Sequence, residues 1–207
     1  MSQMKDVQWL FFDVGSTLVD EGLAYERRLR EMAEAANTTY AAAYELALGF
    51  YKQNKKGDRA AADYLGTPFP PWHKEAERLY GDTVEVLQAL SRRYKIGIIA
   101  NQSPGTKARL AEWGILRYID LVIASAEEGV AKPSPEIFRL ALERSGCPSQ
   151  KAVMIGDRVD NDIVPAKALG MRTVWVKQGW GQYWSVTCEA ERADYTVTCL
   201  SELCHIL

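Results

Sequence analysis

The residues of this chain best suited to chemistry stand at the ends of short apolar runs. Asp13 lies near the end of Gln8 to Val14, and Asn101, Gln102 and Ser103 follow KIGIIA at 95–100. Lys132 lies in the connection after DLVIA at 120–124, and Asp157, Asp160 and Asp162 follow KAVMI at 151–155. If the runs are parallel strands, these side chains share one edge of a sheet, because open α/β sheets bind ligands beyond the carboxyl ends of their strands. Carboxylates drawn together repel unless a cation lies between them, and an all-oxygen donor set suits Mg²⁺. A lysine beside them is suited to pairing with phosphate. Singly, each has a plainer explanation: Asp13 as a cap or solvated turn, Lys132 as a surface lysine, Asp157 to Asp162 as an acidic helix start. Their recurrence after successive strands points to a site.

The elements that must position them follow from pattern. The runs do not alternate, which suits strands buried on both faces of a parallel sheet, and RTVWV at 172–176 adds a fifth. Ser103-Pro104 and Ser134-Pro135 each read as a helix cap before a first-turn proline, and Gly114 and Gly146 as helix stops. Strands alternating with helices predict a Rossmann-like, doubly wound α/β fold. Leu18 to about Tyr80 breaks the rhythm. It holds helix-forming stretches, notably Tyr25 to Ala36 and Thr39 to Gln53, no convincing strand, and a breaker-rich return linker, GTPFPPW at 66–72. The expected organisation is a core of residues 1–17 and 82–207 with a small helical domain, 18–81, inserted.

Composition narrows the function. Of 207 residues, 25 Lys and Arg stand against 27 Asp and Glu, so nothing marks the chain for nucleic acid or an anionic membrane. Met1 to Asp6 lacks a signal-peptide pattern and no apolar run is long enough to span a bilayer. Cys147, Cys188, Cys199 and Cys204 match no zinc or redox spacing, so reduced thiols in a cytoplasmic protein are expected. Oligomeric state leaves no trace in the sequence.

FFDVGSTL at 11–18, IIANQS at 98–103, AKPSPEIF at 131–138 and IGDRVDNDIVPAKALGM at 155–171 resemble, in order, the four motifs of the haloacid dehalogenase-like (HAD) superfamily. The tail ADYTVTCLSEL is similar to that family's closing strand and helix, and the insertion falls where the family places its type 1 helical cap. The resemblance implies that Asp13 is a nucleophile forming an aspartyl-phosphate and that Asp13, the Gly15 carbonyl, Asp157 and Asp162 hold Mg²⁺. It implies that Lys132 neutralises the transferring phosphoryl group of a small phosphorylated substrate. Thr17 completes the first motif, and Asn101 and Gln102 are left to bind phosphate.

Two departures stand out. Gly15 replaces the second Asp of the family's DxDxT motif, the general acid and base, although glycine keeps the main-chain carbonyl. Ala100 stands where the second motif has Ser or Thr. Three readings follow: a phosphatase that recruits an acid elsewhere, Asp20 or Glu21 being nearby; a module that keeps the Mg²⁺ site without catalysis; or a metal-independent dehalogenase, against which the Gly156-Asp157 pair argues. Arg27, Arg28, Lys52, Lys55, Lys56 and Arg59 are candidates for contacting substrate from the insertion. Trp175, Trp180, Tyr183 and Trp184 are expected to pack, His73 to sit in the linker, and QGWGQYW at 178–184 to lie near the site or the insertion.

Overall fold

The structure is a computed structural model that describes residues 4–207. The first apolar run forms β1, Trp9–Phe12, and its neighbours in sequence spacing form β4 (Lys95–Ala100), β5 (Leu121–Ala124), β6 (Ala152–Gly156) and β7 (Arg172–Val176). β8, Tyr195–Val197, closes one edge. All pair in parallel in the order β5-β4-β1-β6-β7-β8. From β1 the chain builds β4 and β5 on one side and then crosses back to build β6, β7 and β8 on the other, so β4, β1 and β6 are adjacent. Their carboxyl ends therefore bring Asn101, Asp13 and Asp157 side by side, with the connection that carries Lys132 following β5 next door.

The strands are largely apolar because both faces of the sheet are covered, with Lys95 and Arg172 at the starts of β4 and β7. Leu10 and Phe12 join Ile96, Ile98, Val153 and Ile155 on one face, packed by α4 (Thr83–Leu90), Leu110 of α5 (Thr106–Glu112) and α9 (Leu203–Ile206). Phe11 points the other way with Ile99, Ile123 and Met154, onto α7 (Pro135–Ser145) and Ala166 of α8 (Val164–Ala168). This is the doubly wound α/β architecture the pattern predicts. A short helix, α6 (Ser125–Glu128), follows β5. Ser134 caps α7 as expected, accepting from Glu136 N at 3.3 Å, and Gly114 and Gly146 end their helices at positive φ. The Ser103 cap is a correction: α5 starts at Thr106. Glu127 takes the Gly105 and Thr106 amides at 3.0 and 3.2 Å, and the Ser103 hydroxyl instead accepts from Arg109.

Between β1 and α4 lie α1 (Gly22–Ala35), α2 (Tyr40–Tyr51) and α3 (Gly57–Leu65), which bury Leu29, Met32, Ala47, Ala61 and Ala62 among themselves. The expectation of no strand in this stretch is overturned. β2 (Val19–Asp20) and β3 (Arg78–Leu79) pair antiparallel at the base of the insertion, and two-residue strands are too short to leave a periodic signal. Tyr80 N and Thr83 Oγ1 both donate to the Leu18 carbonyl, tying the two crossings together.

Two glycines test this packing in opposite directions. A Cβ on Gly97 in β4 would lie 2.5 Å from the Phe11 ring, whereas one on Gly49 in α2 would meet nothing within 4 Å. Gly97→Ala is expected to lower stability by about 1–3 kcal/mol through overpacking. Gly49→Ala should raise it by roughly 0.5–1 kcal/mol through helix propensity. Urea unfolding midpoints of the two variants should move apart from the wild type.

Candidate active site

The centre of the site is an ion triad made from three separate connections. Lys132 Nζ lies 2.7 Å from Asp13 Oδ1 and 2.5 Å from Asp162 Oδ1, and its side chain is 2% exposed. Asp13 follows β1 directly, its amide donating to the Ile155 carbonyl of β6 at 2.9 Å. Asp162 comes from a wide π-type turn, Val159–Ile163, in which Val164 N reaches back to Val159 O. Its other oxygen accepts from Arg158 N at 3.0 Å. The turn folds this carboxylate over Gly156, where a Cβ would come within 2.7 Å of Asp162 Cβ and overlap the carboxylate itself. The glycine of the Gly156-Asp157 pair is thus a space requirement of Asp162.

Asp157 is buried and weakly partnered: among the described residues its side chain accepts one hydrogen bond, from Thr17 Oγ1 at 3.5 Å. Asp13, Asp157 and Asp162 offer oxygens within 4.8 Å of one another, a group able to hold a metal ion. Burial, followed by the charges of Asp13 and Asp162, raises the Asp157 pKa well above the usual carboxylate range. Burial also raises Asp162 to about 6, with Lys132 pulling against it. For Lys132, burial favours the neutral amine, but Asp13 and Asp162 outweigh it and raise its pKa, so the ammonium persists. Lys132 pairs with Asp13 and Asp162, and Asp157 adds a third acid to the group, so acidic side chains outnumber the one ammonium among them.

Other expected residues take different places. Asn101 Nδ2 donates to Lys132 O at 2.8 Å while its Oδ1 accepts from Lys132 N at 2.7 Å, so the amide clamps the lysine's backbone although it borders the cavity. The Gln102 side chain accepts from Arg109. Thr17 is fully buried with its hydroxyl toward Asp157. Asp160 pairs with Arg158 outside the acidic cluster. Asp20 is exposed and takes the Gly22 amide at 2.8 Å. His73 bridges Glu31 and Glu75 beside the return linker.

Glu21, by contrast, faces the site. It borders a cavity of about 140 Å³ together with Asp13, Gly15, Ser16, Tyr25 and Lys132. Ser16 adopts a left-handed backbone, φ 53°, and its hydroxyl donates to Glu21 Oε2 at 2.8 Å. Enclosure on its other sides pushes the Glu21 carboxyl up to about 8; the Ser16 bond opposes this, and Asp13 adds to it.

The roof was least visible in the sequence. Trp180 stacks on Tyr51 of α2 at 4.7 Å and meets Tyr25 of α1 edge-on at 6.0 Å. The flanking glycines let the backbone close down: a Cβ on Gly181 would lie 2.6 Å from Asp157 Oδ2, and one on Gly179 2.6 Å from Ser16 Oγ. Trp180 packs, as expected, and it also lines the cavity. Two glycines around a tryptophan just past a strand were the available signal. Among the insertion's basic candidates, Arg28 is buried against Asp58 and, with Lys74 and Arg109, lines a cleft of about 320 Å³ that shares Glu21, Tyr25, Asn101 and Gln102 with the cavity. The larger depression at the opposite, amino ends of β1 and β4, about 650 Å³, is open and distant from the carboxylates.

A doubly wound parallel sheet with three acids and a buried lysine at its carboxyl edge defines a Rossmann-like α/β protein with a site at the ends of its strands. Residues 7–170 match the family model for haloacid dehalogenase-like hydrolases, and the chain belongs to that family of enzymes. The glyceraldehyde 3-phosphate phosphatase of Pyrococcus furiosus is 30% identical over 233 aligned positions, covering 99% of this chain and 94% of that protein. Among solved structures, the HAD-hydrolase YfnB from Bacillus subtilis, bound to magnesium, superposes with a TM-score of 0.73 at 21% identity, covering 97% of this chain and 98% of that one. A HAD phosphatase from Thermococcus onnurineus gives 0.65 at 24%, covering 97% of each chain.

The raised carboxyls have a measurable consequence. An acid whose folded pKa exceeds its unfolded value keeps a proton that unfolding releases, so stability is lost as pH rises between the two values. For Asp162 that window runs from 3.8 to about 6, and for Glu21 from 4.5 to about 8. Without divalent cations, the free energy of unfolding contributed by this cluster should fall from about pH 4 to pH 8. Glu21→Gln should flatten the upper part of that profile in urea titrations; an identical slope would contradict the assignment.

Proposed function

We propose that this enzyme is a Mg²⁺-dependent phosphatase of a small phosphorylated metabolite, acting through an aspartyl-phosphate on Asp13. The observation that carries the reading is the Lys132 ammonium, buried between Asp13 and Asp162 beside a third, nearly unpartnered carboxylate, Asp157. The site's excess of acidic oxygens fits a hard divalent cation held by Asp13, the Gly15 carbonyl, Asp157 and Asp162. When bound, Mg²⁺ supplies positive charge to a phosphoryl group and to the carboxylates around it. Similarity to named phosphatases supports the same chemistry.

Within this reading the Asp13 carboxylate attacks phosphorus, oriented by its bond to Lys132, which also neutralises charge on the transferring group. Asn101 fixes the Lys132 backbone. Asp162 holds the other side of the ammonium and keeps Lys132 from swinging away. The cavity at Asp13 accommodates a phosphoryl group and little more, so the rest of the substrate extends into the cleft lined by Arg28, Lys74 and Arg109. Residues 18–81 then serve as a cap that, with Trp180, excludes water from the reacting atoms. The cytoplasm suits an enzyme with four free thiols. The metal-independent dehalogenase reading leaves buried Asp157 without a purpose.

Phosphate release from 4-nitrophenyl phosphate is expected to require Mg²⁺ and to vanish in Asp13→Asn. Undiminished release by that variant, with deamidation excluded by mass spectrometry, would remove Asp13 from the mechanism. Mg²⁺ should raise the Tm of the wild type, and Asp157→Asn should respond much less. Lys132→Ala should lower turnover by about 10²–10³-fold. Chloride release from a chloroalkanoate without metal would favour the dehalogenase instead.

A further inference from the structure

Gly15 leaves open which group handles protons. Cleavage of an alkyl or phenyl phosphate needs a proton on the departing oxygen, and breakdown of an aspartyl-phosphate needs a base for the attacking water. A Cβ built on Gly15 would overlap the Glu21 carboxyl, lying 2.8 Å from its Cδ and 2.9 Å from its Oε2, with Oε1 nearer still. The volume that a side chain at position 15 would enter is therefore already filled by a carboxyl arriving from the start of α1. Glu21 is held there by design of the loop: Ser16, in its left-handed conformation, engages Oε2, and Oε1 has no hydrogen-bond partner among the described residues. Asp20, the other nearby acid, turns outward to the Gly22 amide.

We propose that Glu21 is the general acid and base of this enzyme, its carboxyl occupying from α1 the place that a side chain at position 15 leaves empty; the assignment rests on the phosphatase reading above. As Asp13 bonds to phosphorus and the bond to the leaving oxygen breaks, the Glu21 carboxylic acid gives that oxygen its proton. The resulting Glu21 carboxylate then takes a proton from water as the water oxygen bonds to phosphorus. The bond from phosphorus to Asp13 breaks, returning Asp13 as carboxylate, Glu21 as acid and phosphate as product. Absence of a side chain at position 15 is then a relocation of the acid, and the glycine is required by it.

Two near-isosteric probes separate this role from a structural one: 4-nitrophenyl phosphate, whose leaving group needs no proton, and phenyl phosphate, whose leaving group does. In pre-steady-state experiments with Mg²⁺, Glu21→Gln should keep the nitrophenolate burst within a few-fold while slowing the phenol burst by about 10²–10⁴-fold. Phosphoenzyme should accumulate in both cases. Gly15→Asp alone should be poorly tolerated, whereas Gly15→Asp combined with Glu21→Ala, which frees the space, should recover phenyl phosphate cleavage relative to Glu21→Ala. Equal slowing of both probes by Glu21→Gln, no slowing of either, or no recovery in the double variant would overturn the assignment. Absence of any Mg²⁺-dependent phosphate release from either probe by the wild type would instead bring down the phosphatase reading and this inference with it.

Discussion

The structure depends most on one buried ammonium. Lys132 is enclosed by protein and touches two carboxylates from two other connections. Removing one partner of a buried ion pair costs roughly 3–5 kcal/mol because the remaining charge is stranded. The carboxyl ends of β1, β5 and β6 are thereby held in a fixed relation, and Asn101 adds the end of β4 through both of its hydrogen bonds to the Lys132 backbone. The same enclosure strengthens the electrostatic interactions among these groups, because burial weakens their screening by solvent.

Much of this was legible in the sequence, for a definite reason. Strands covered on both faces need unbroken apolar runs, and a parallel sheet places whatever follows those runs at one edge, so KIGIIA and RTVWV were found with their boundaries intact. Asp13, Lys132, Asp157 and Asp162 stood out because polar groups repeatedly following buried strands are hard to explain otherwise. What escaped was whatever depends on backbone path. The β2–β3 pair is too short to have a period. Ser103 lost its helix cap to Glu127, a competitor remote in sequence. The two hydrogen bonds by which Asn101 clamps the Lys132 backbone also have no counterpart in the sequence pattern, since they join loops 31 residues apart.

Glycines carried information that spacing alone could not decode. Gly15, Gly156 and Gly181 each border a carboxylate or its backbone so closely that a methyl group would collide: Glu21, Asp162 and Asp157 respectively. In sequence these positions read as a lost acid, half of a motif and part of a loop near the site or the insertion. In three dimensions each is a space kept clear for an acidic group. Trp180 belongs to the same logic, since the glycines beside it let the loop descend onto the site while its ring anchors in the aromatic side chains of α1 and α2. The roof is thus joined to both the core and the insertion by one side chain.

The central claim is that Asp13 becomes covalently phosphorylated, and the most direct measurement is to trap that state. Mg²⁺-loaded protein mixed with 4-nitrophenyl phosphate, acid-quenched during the burst and mapped by peptide mass spectrometry, should carry one phosphate on the peptide containing Asp13. That adduct should be sensitive to hydroxylamine, as an acyl phosphate is. Phosphate on any other residue, or a full burst of nitrophenolate with no phosphorylated peptide, would contradict the account.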